Sequence, residues 1–238
     1  VDQVVKDFGA ATKRAIDAGF DGVEIHGANH YLIQQFFSRF SNHRDDKWGD
    51  YEAFPLAVAK EVFEVVKKYA SKNFIIGYRI SPEEINPDNV GYTWHESTEL
   101  INKLTNKFDF DYIHLSLPDY QAKPKDSDKT FAELFRPVIG EDTKLIIVGD
   151  VMSQADAEDA LNYTDLVAAG RAQLIDANFA AKVVAGKGNE VITEMSEAEE
   201  KEQALTPGLH KVMDMETKRP DFAKVLREVD YSKALKVK

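Results

Sequence analysis

His26, Asn29 and Tyr31 place an imidazole, a carboxamide and a phenol within six residues, in the stretch FDGVEIHGANHYL at positions 20–32. Imidazole and amide N–H groups donate hydrogen bonds, and a phenol, which titrates at about pH 10, can donate a proton to a strong base. An apolar run leads into His26, so the three groups stand where a buried strand should end. The stretch therefore predicts a polar site presented by one strand-to-loop junction.

The elements that must position this junction follow a strand–helix rhythm. Short, nearly continuous apolar runs alternate with helical patterns, which is typical of parallel strands that are buried on both faces. The five runs are FDGVEIHG, NFIIGYRIS, FDYIHLSL, KLIIVGD and DLVAAGR. One amphipathic helix precedes them, over residues 1–19, and one helix over AQLIDANFAAKVVAG is expected to close the series. The pattern predicts an α/β fold with five βα units.

Two architectures fit this rhythm, an open doubly wound sheet and a (β/α)8 barrel of the TIM type. A full barrel needs eight strands and about 250 residues. Residues 1–185 hold only five units, which predicts a partial TIM barrel, and residues 186–238 predict a C-terminal helical extension. The sequence starts without Met and inside a helical pattern. We therefore expect an excised portion of a longer enzyme; the alternative is a piece that assembles with another copy.

Composition narrows the class of partner. The 238 residues carry a formal net charge of −11, which argues against nucleic acid and against an anionic membrane as the main partner. The chain has no cysteine, so disulfides, Cys-based zinc sites and thiol nucleophiles are excluded, and we predict no metal site. No apolar run has the length of a membrane span. We expect a reducing, cytoplasmic setting, and an exposed sheet edge would favour a homo-oligomer.

Every predicted strand ends on charged, polar or glycine residues. In parallel α/β folds, ligands bind beyond the carboxyl ends of the strands. The strand-end residues are His26, Arg79, Ser81, His114, Ser116, Gly149, Asp150, Gly170 and Arg171. Each alone is commonly a hydrogen-bonded structural residue, and we expect His114 to be one. Several on one rim favour a ligand site, because a curved sheet brings its strand ends together.

The last two units suggest a phosphate site. Gly149 lies at a strand end, and Gly170 and Arg171 directly precede a helix. Glycine lets a backbone approach an anion closely, a helix N-terminus offers free N–H groups, and arginine is a forked donor suited to phosphate. Barrels frequently bind phosphate after their last two strands. The alternative is that these are turn glycines beside a surface arginine.

These segments resemble the old yellow enzyme family of FMN-dependent ene reductases, which are (β/α)8 barrels. The segment AGFDGVEIHGANHYLIQQFFSRFSNHRDDKWGD is similar to the family's most recognisable stretch. YRISPEE, YIHLS, IIVGDVMSQADAEDAL and DLVAAGRAQLIDANF follow in the family's order. The resemblance covers about residues 1–185, which would be the later five strands of the barrel.

The resemblance implies a role for each candidate residue. His26 and Asn29 match the pair that hydrogen-bonds the carbonyl oxygen of the substrate, and Tyr31 matches the proton donor. Arg79 matches the residue beside the flavin N1 and O2 atoms. The phosphate end of FMN is implied for Gly149, Asp150, Gly170 and Arg171. The cofactors implied are FMN and, as hydride donor, NADH or NADPH, and the substrate is a small enone or enal.

Physical chemistry makes these implied roles sensible. Hydride addition to the β-carbon of an activated alkene builds negative charge on the carbonyl oxygen, and two fixed N–H donors stabilise that charge more than the ground state. The α-carbon must then be protonated, which a phenol can do. A permanently charged guanidinium beside N1 would favour reduced flavin, which is negative there.

The sequence also departs from the family. The first three strands and their flavin-contacting residues are absent, and YEAF follows DDKWGD directly where the family has a longer loop. His30 stands where the family usually has glycine. Asp150 would be unfavourable near a phosphate unless its carboxylate points away. Tyr31 opens an apolar helical stretch, so a packing role is its alternative.

Two further functional hypotheses compete with a catalytic portion of an ene reductase. The chain could be a non-catalytic partial barrel that does not retain FMN on its own. It could also be an unrelated phosphate-binding barrel, such as an aldolase or isomerase. The last would need a lysine or a carboxylate base at a strand end, where Asp150 is the one carboxylate that the pattern offers.

Overall fold

The computed structural model describes residues 1–193, so most of the predicted extension, residues 194–238, lies outside the described part. The helices are α1 (Asp2–Asp17), α2 (Leu32–Phe37), α3 (Ala53–Tyr69), α4 (Trp94–Lys107), α5 (Phe131–Phe135), α6 (Gln154–Ala160), α7 (Arg171–Ile175) and α8 (Phe179–Val184). The strands are β1 (Gly22–Gly27), β2 (Ile75–Ile80), β3 (Glu84–Asn86), β4 (Asn89–Tyr92), β5 (Tyr112–Ser116), β6 (Lys144–Val148) and β7 (Leu166–Ala168). The five predicted apolar runs are confirmed as strands β1, β2, β5, β6 and β7.

The five strands form one sheet in the order β1-β2-β5-β6-β7. β1 pairs with β2 in parallel, and β2 pairs with β5 in parallel. The order follows the chain without reversal, whereas a doubly wound sheet reverses at a switch point. Strand order therefore favours the barrel over the doubly wound alternative, and the predicted α/β class is confirmed.

The chain divides into two compact units, of which the first comprises residues 1–117, 121–147 and 163–166. Alternate residues of its strands are fully buried on one face of the sheet, because successive side chains of a strand point to opposite faces. The buried set is Ile25, Ile76, Tyr78, Ile80, Ile113 and Leu115. Helices α3 and α4 contribute further buried apolar residues: Phe54, Val58, Val62, Leu100, Ile101 and Leu104. The other face of the strands is left for polar side chains.

Side-chain caps begin two of the helices that follow strands, α4 and α6. Thr93 and Glu96 form a capping box at the start of α4, in which each side chain meets the backbone of the other. Ser153 caps α6 by accepting from the Asp156 N–H. These caps satisfy backbone donors that a helix start leaves open. The strand-to-helix connections are thereby fixed in place.

A two-stranded hairpin, β3–β4, lies between β2 and α4 and was not predicted from the sequence. The Tyr92 hydroxyl donates to the Ser81 carbonyl at 2.9 Å. The Arg39 N–H donates to the Gly91 carbonyl at 3.1 Å, so the hairpin is tied to the loop that follows α2. Strands of three and four residues are too short to show a clear period of two.

The second unit comprises residues 118–120 and 148–162 and the described residues from 167 onward. The sequence predicts one closing helix over AQLIDANFAAKVVAG, and this prediction is wrong, because α7 and α8 are separate helices. Asp176 is 1% exposed and lies between them. Its carboxylate accepts from the backbone N–H groups of Asn178 and Ile192, each at 2.9 Å, and from Lys182 at 2.7 Å. A carboxylate that accepts from backbone N–H groups before and after α8 accounts for the break.

No helix within residues 1–193 has the length and apolar character needed to cross a membrane.

Candidate active site

Three titratable side chains stand in one row near the carboxyl ends of adjacent strands. His26 of β1 pairs with Arg79 of β2, and Arg79 pairs with His114 of β5. Residues paired across parallel strands point to the same face of the sheet. The structure thus brings together three of the strand-end residues that the sequence singles out.

His26 is held as a neutral hydrogen-bond donor. Its Nδ1 accepts from the Ala28 N–H at 3.4 Å, which leaves the proton of the neutral ring on Nε2. Burial lowers the pKa of His26 below its ordinary value, and the positive charge of Arg79 lowers it further, while Glu24 opposes the shift. The imidazole is therefore uncharged at neutral pH and offers one N–H.

Asn29 lies in the left-handed backbone region, with φ of 57°, directly after the strand. Its backbone N–H donates to Ser81 Oγ at 3.0 Å, and its side-chain Oδ1 accepts from Ser116 Oγ at 2.9 Å. Asparagine adopts this backbone region more readily than most residues. Two serines that end neighbouring strands therefore fix the backbone and the side chain of Asn29.

Tyr31 precedes helix α2 as its N-cap residue, with extended backbone geometry. The residue is 62% exposed, and its ring centroid lies 5.1 Å from that of His26. Tyr31 is therefore not packed in the core. The phenol and the imidazole that the sequence singles out are neighbours.

Arg79 is half-buried, and its Nη2 donates to Ser116 Oγ at 3.0 Å. Its Nε is buried and has no hydrogen-bond partner among residues 1–193. An unsatisfied buried N–H on a permanent cation costs free energy unless an acceptor meets it. The acceptor atoms of a flavin pyrimidine edge would satisfy this group, so the residue fits the cofactor that the resemblance implies.

Two residues beneath this row were missed from the sequence. Glu24 Oε2 lies 2.9 Å from His114 Nδ1, and Glu24 also interacts with the Tyr112 hydroxyl. Burial raises the pKa of Glu24, but the bonds from His114 and Tyr112 outweigh it, so the net shift is downward. Burial and Glu24 raise the pKa of Tyr112 to about 12. The signal for Glu24 was its place two residues before His26, on the same strand face.

His114 is buried, as expected for a packed residue, but only half of its bonding capacity is met. Its Nδ1 faces Glu24, whereas its Nε2 is buried without a hydrogen-bond partner in the described part of the chain. A carboxylate at Nδ1 fixes the orientation of the ring.

The loop between Asn29 and Tyr31 is tied to the hairpin through His30, to which the sequence assigned no role. His30 has φ of 60°, and its backbone N–H donates to Gln34 Oε1 at 3.0 Å. Gln34 Nε2 and Ser38 Oγ both donate to Glu84, each at 2.8 Å. Glu84 is 5% exposed, and its Oε2 lies 3.7 Å from His30 Nδ1.

The pKa values of this pair move apart. The nearby carboxylate of Glu84 raises the pKa of His30 despite partial burial of the ring. Burial raises the pKa of Glu84, but His30 and the hydrogen bonds from Gln34 and Ser38 bring it below its ordinary value. The pair is therefore ionic in weakly acidic solution, and it holds the loop that carries Asn29 and Tyr31.

The four residues assigned to phosphate lie together in the second unit. Arg171 donates to the carboxylate of Asp150, which has φ of 50°. Gly170 has open space around it, whereas a Cβ on Gly149 would lie 2.7 Å from the backbone of Asp119. Close packing of the chain's own backbone thus accounts for Gly149, whereas a Cβ on Gly170 would meet no atom of residues 1–193 within 4 Å. Asp150 points toward Arg171 rather than away from it.

The sequence profile of the NADH:flavin oxidoreductase / NADH oxidase family matches residues 1–190. A probable NADH-dependent flavin oxidoreductase of Bacillus subtilis is 44% identical over 81% of this chain and 53% of its own length. The NADH:acrylate oxidoreductase of Vibrio harveyi is 37% identical over 90% of this chain and 22% of its own length. The chain thus spans about half or less of these curated relatives.

Solved structures agree with the fold. Morphinone reductase in complex with tetrahydroNAD aligns with a TM-score of 0.58 and 28% identity, over 78% of this chain and 49% of its own. Histamine dehydrogenase from Rhizobium sp. 4-9 aligns with a TM-score of 0.63 over 80% of this chain and 28% of its own; at 20% identity it shows the fold alone. These alignments confirm the predicted barrel type, and the family match confirms the resemblance to old yellow enzyme with its FMN-dependent, NADH-linked oxidoreductase class. The chain belongs to the NADH:flavin oxidoreductase / NADH oxidase family.

Proposed function

We propose that this chain carries the substrate-oxygen site and the proton donor of an FMN-dependent oxidoreductase. The whole enzyme would transfer hydride from NADH or NADPH through FMN to the activated C=C bond of an α,β-unsaturated carbonyl compound. One observation carries the proposal: a neutral His26 with its proton on Nε2 stands beside an Asn29 whose Oδ1 is already occupied. Both residues therefore present N–H donors from one strand-to-loop junction, next to a phenol.

The chemistry follows from where charge develops. Bound FMN supplies the hydride that the β-carbon of the substrate receives, and the electron pair of the C=C bond moves toward the carbonyl oxygen. His26 Nε2 and the Asn29 carboxamide would donate hydrogen bonds to that oxygen, which stabilises the enolate. Tyr31 would then give its phenolic proton to the α-carbon and recover a proton from water.

The family resemblance assigns Arg79 to the flavin ring and four other residues to the flavin phosphate. Arg79, with its unsatisfied buried Nε, would face the pyrimidine edge of the ring. Gly149, Asp150, Gly170 and Arg171 would hold the phosphate, and Gly170 has the open surroundings that this needs. Asp150 competes with the phosphate for Arg171, so its carboxylate weakens rather than builds this end of the site.

The proposed N–H donors require a substrate with an oxygen conjugated to the C=C bond. Acrylate, which names the Vibrio relative, is an alkene conjugated to a carboxyl group, and enones and enals share the conjugated oxygen. We propose a small molecule of this class as substrate, a cytoplasmic setting because the chain has no cysteine, and no nucleic-acid or membrane partner because the net charge is −11. We also propose a homo-oligomer, because association with a second copy would cover an exposed sheet edge.

The test is a visible spectrum of the chain after incubation with FMN and desalting. A retained flavin band that NADH bleaches and 2-cyclohexenone or acrylate restores supports the proposal. His26→Ala and Asn29→Ala should each lower the rate of reoxidation by the alkene by about 10²–10³-fold. Tyr31→Phe should slow the same step without slowing bleaching by NADH, and Tyr69→Phe, an exposed tyrosine at the end of α3, is the matched control.

Loss of the flavin on desalting would instead support the alternative of a partial barrel that does not bind FMN on its own. The unrelated aldolase or isomerase barrel is excluded by the family match.

A further inference from the structure

Ser116 ends strand β5 and is half-buried. Its Oγ lies between two groups of the site, 3.0 Å from Arg79 Nη2 and 2.9 Å from Asn29 Oδ1. The hydrogen bond to Asn29 joins residues that are 87 positions apart in the sequence. Neither the family resemblance nor the proposed function uses this serine.

The direction of both hydrogen bonds follows from the number of protons available. A guanidinium has only donors, so Ser116 Oγ must accept from Arg79. A hydroxyl carries one proton, and Ser116 Oγ donates it to Asn29 Oδ1 at 2.9 Å. A turned amide would instead bring a second N–H to an oxygen that already accepts from Arg79, and the hydroxyl proton would lose this acceptor. Arg79 and Ser116 together therefore decide which way the Asn29 amide is turned.

Orientation matters because a carboxamide can present either of two opposite groups. With Oδ1 bound to Ser116, the Asn29 NH2 group is directed away from the serine and is free to serve a ligand oxygen. With the amide turned by half a rotation, Oδ1 would face a developing oxyanion and repel it. Asn29 is exposed and its backbone is anchored separately by Ser81, so no packing in the first unit replaces this hydrogen bond.

We propose that Ser116 is a positioning residue that presents the Asn29 NH2 group to the carbonyl oxygen of the substrate. It acts through Asn29 and links the orientation of that amide to Arg79. The proposal rests on the proposed function for its kinetic consequence, but the orientation itself is a property of the chain alone.

The first experiment follows the Asn29 side chain in the full chain by NMR, without flavin. Accepting a hydrogen bond moves the ¹³Cγ resonance of a carboxamide downfield, and an Asn29→Asp variant assigns the signal. Ser116→Ala should move the Asn29 ¹³Cγ resonance upfield, whereas Ser116→Thr, which keeps the hydroxyl, should restore it. Ser41→Ala removes an exposed hydroxyl that bonds to the Gln35 carbonyl and should leave the resonance unchanged.

The second experiment measures kcat/KM for 2-cyclohexenone with the flavin-loaded protein. Ser116→Ala should lower it about tenfold, less than the loss of a donor, because the amide is present but misoriented part of the time. Ser116→Thr should restore it. In an Asn29→Ala background, Ser116→Ala should have no further effect, because the serine acts only through that amide.

An unchanged ¹³Cγ resonance in Ser116→Ala overturns the proposal, and so does a kinetic loss of the same size in the Asn29→Ala background. If the wild-type protein reduces no alkene, the proposed function fails, and the NMR comparison alone decides whether Ser116 orients Asn29.

Discussion

His26 and Arg79 are register partners on adjacent parallel strands, and the guanidinium of one helps burial to keep the imidazole of the other neutral. A neutral ring can donate from Nε2 while Nδ1 accepts from the Ala28 N–H. A charged ring would lose that Nδ1 bond, because both nitrogens would then be donors. The protonation state of the imidazole proposed to bind the substrate oxygen thus depends on the residue proposed to face the flavin.

Replacing Arg79 with Gln should therefore raise the pKa of His26. The shift should be partial, because burial is the larger cause of the lowered value and remains in the variant. The measurement is an NMR titration of the His26 ring Cε1–H. Arg44→Gln, which removes an exposed guanidinium paired with Asp46, should leave the titration of His26 unchanged. A midpoint in Arg79→Gln at or below that of the wild type would show that the guanidinium does not act on this ring.

The His30–Glu84 pair should make stability depend on pH in a defined direction. The raised pKa of His30 means that its contribution is complete below about 6.5, its ordinary value, and is lost as pH rises through the raised value. The lowered pKa of Glu84 means that its contribution is present above its ordinary value of 4.5 and is lost as pH falls. Both groups are charged between these limits.

His30→Gly removes both the ion pair and the backbone strain at φ of 60°. Measuring stability at two pH values separates the two contributions, because only the ion pair depends on pH. Glycine removes a left-handed strain of about 1 kcal/mol, and loss of a half-exposed pair costs under about 1 kcal/mol. The variant should therefore be more stable than the wild type at about pH 9, where the imidazole is neutral, and should lose that advantage at about pH 5.5. Urea unfolding at both pH values measures this; a difference independent of pH would refute the role of the pair. His30→Asn, neutral and tolerant of this φ, is the control for strain.

Much of the fold can be predicted from the sequence, because buried parallel strands appear there as continuous apolar runs. The runs around Ile25, Tyr78 and Ile113 are strands in the structure, and these three side chains are buried. The hairpin β3–β4 is not predicted, because its strands are too short to show a pattern. Hydrogen bonds from Tyr92 and to Glu84 hold it against the rest of the fold. Local propensity is a weak guide where such contacts decide.

Some residues of the candidate site can likewise be predicted from the sequence, and others cannot. His26, Asn29 and Tyr31 are recognisable because they follow one strand and stand close together in sequence. Ser116 is not recognisable as their partner, because its bond to Asn29 spans 87 positions and depends on the pairing of three strands. The break between α7 and α8 depends likewise on the bond from the Ile192 N–H to Asp176, across 16 positions.

Asp150→Asn should strengthen the binding of FMN. The substitution removes the carboxylate that holds Arg171 and would repel a phosphate, and asparagine tolerates the φ of 50° at this position. Removal of one nearby like charge predicts a Kd lower by about three- to tenfold. The measurement is a fluorescence titration of FMN at constant ionic strength. Glu158→Gln changes the net charge equally on an exposed face of α6 and should leave the Kd unchanged. A weaker Kd in Asp150→Asn would instead show that the Asp150–Arg171 pair organises the site.

Asp176→Ala should destabilise the second unit more than a surface substitution does. The carboxylate is 1% exposed and satisfies two backbone N–H groups and Lys182, so its removal leaves partly buried donors unpaired. The expected loss in the free energy of unfolding is about 2–4 kcal/mol. Burial raises the pKa of Asp176, but the bonds from Ile192, Lys182 and Asn178 outweigh it and lower the net value.

The sign of the pH dependence follows from that lowered pKa. The contribution of Asp176 is present above the ordinary value of 3.8 and is lost as pH falls through the lowered value. The difference in urea midpoint between the wild type and Asp176→Ala should therefore shrink in strong acid. Asp176→Asn keeps the acceptor oxygen for one N–H group and should lose less stability than Asp176→Ala. Equal losses in the two variants at neutral pH would mean that the negative charge, rather than the backbone capping, joins α7 to α8.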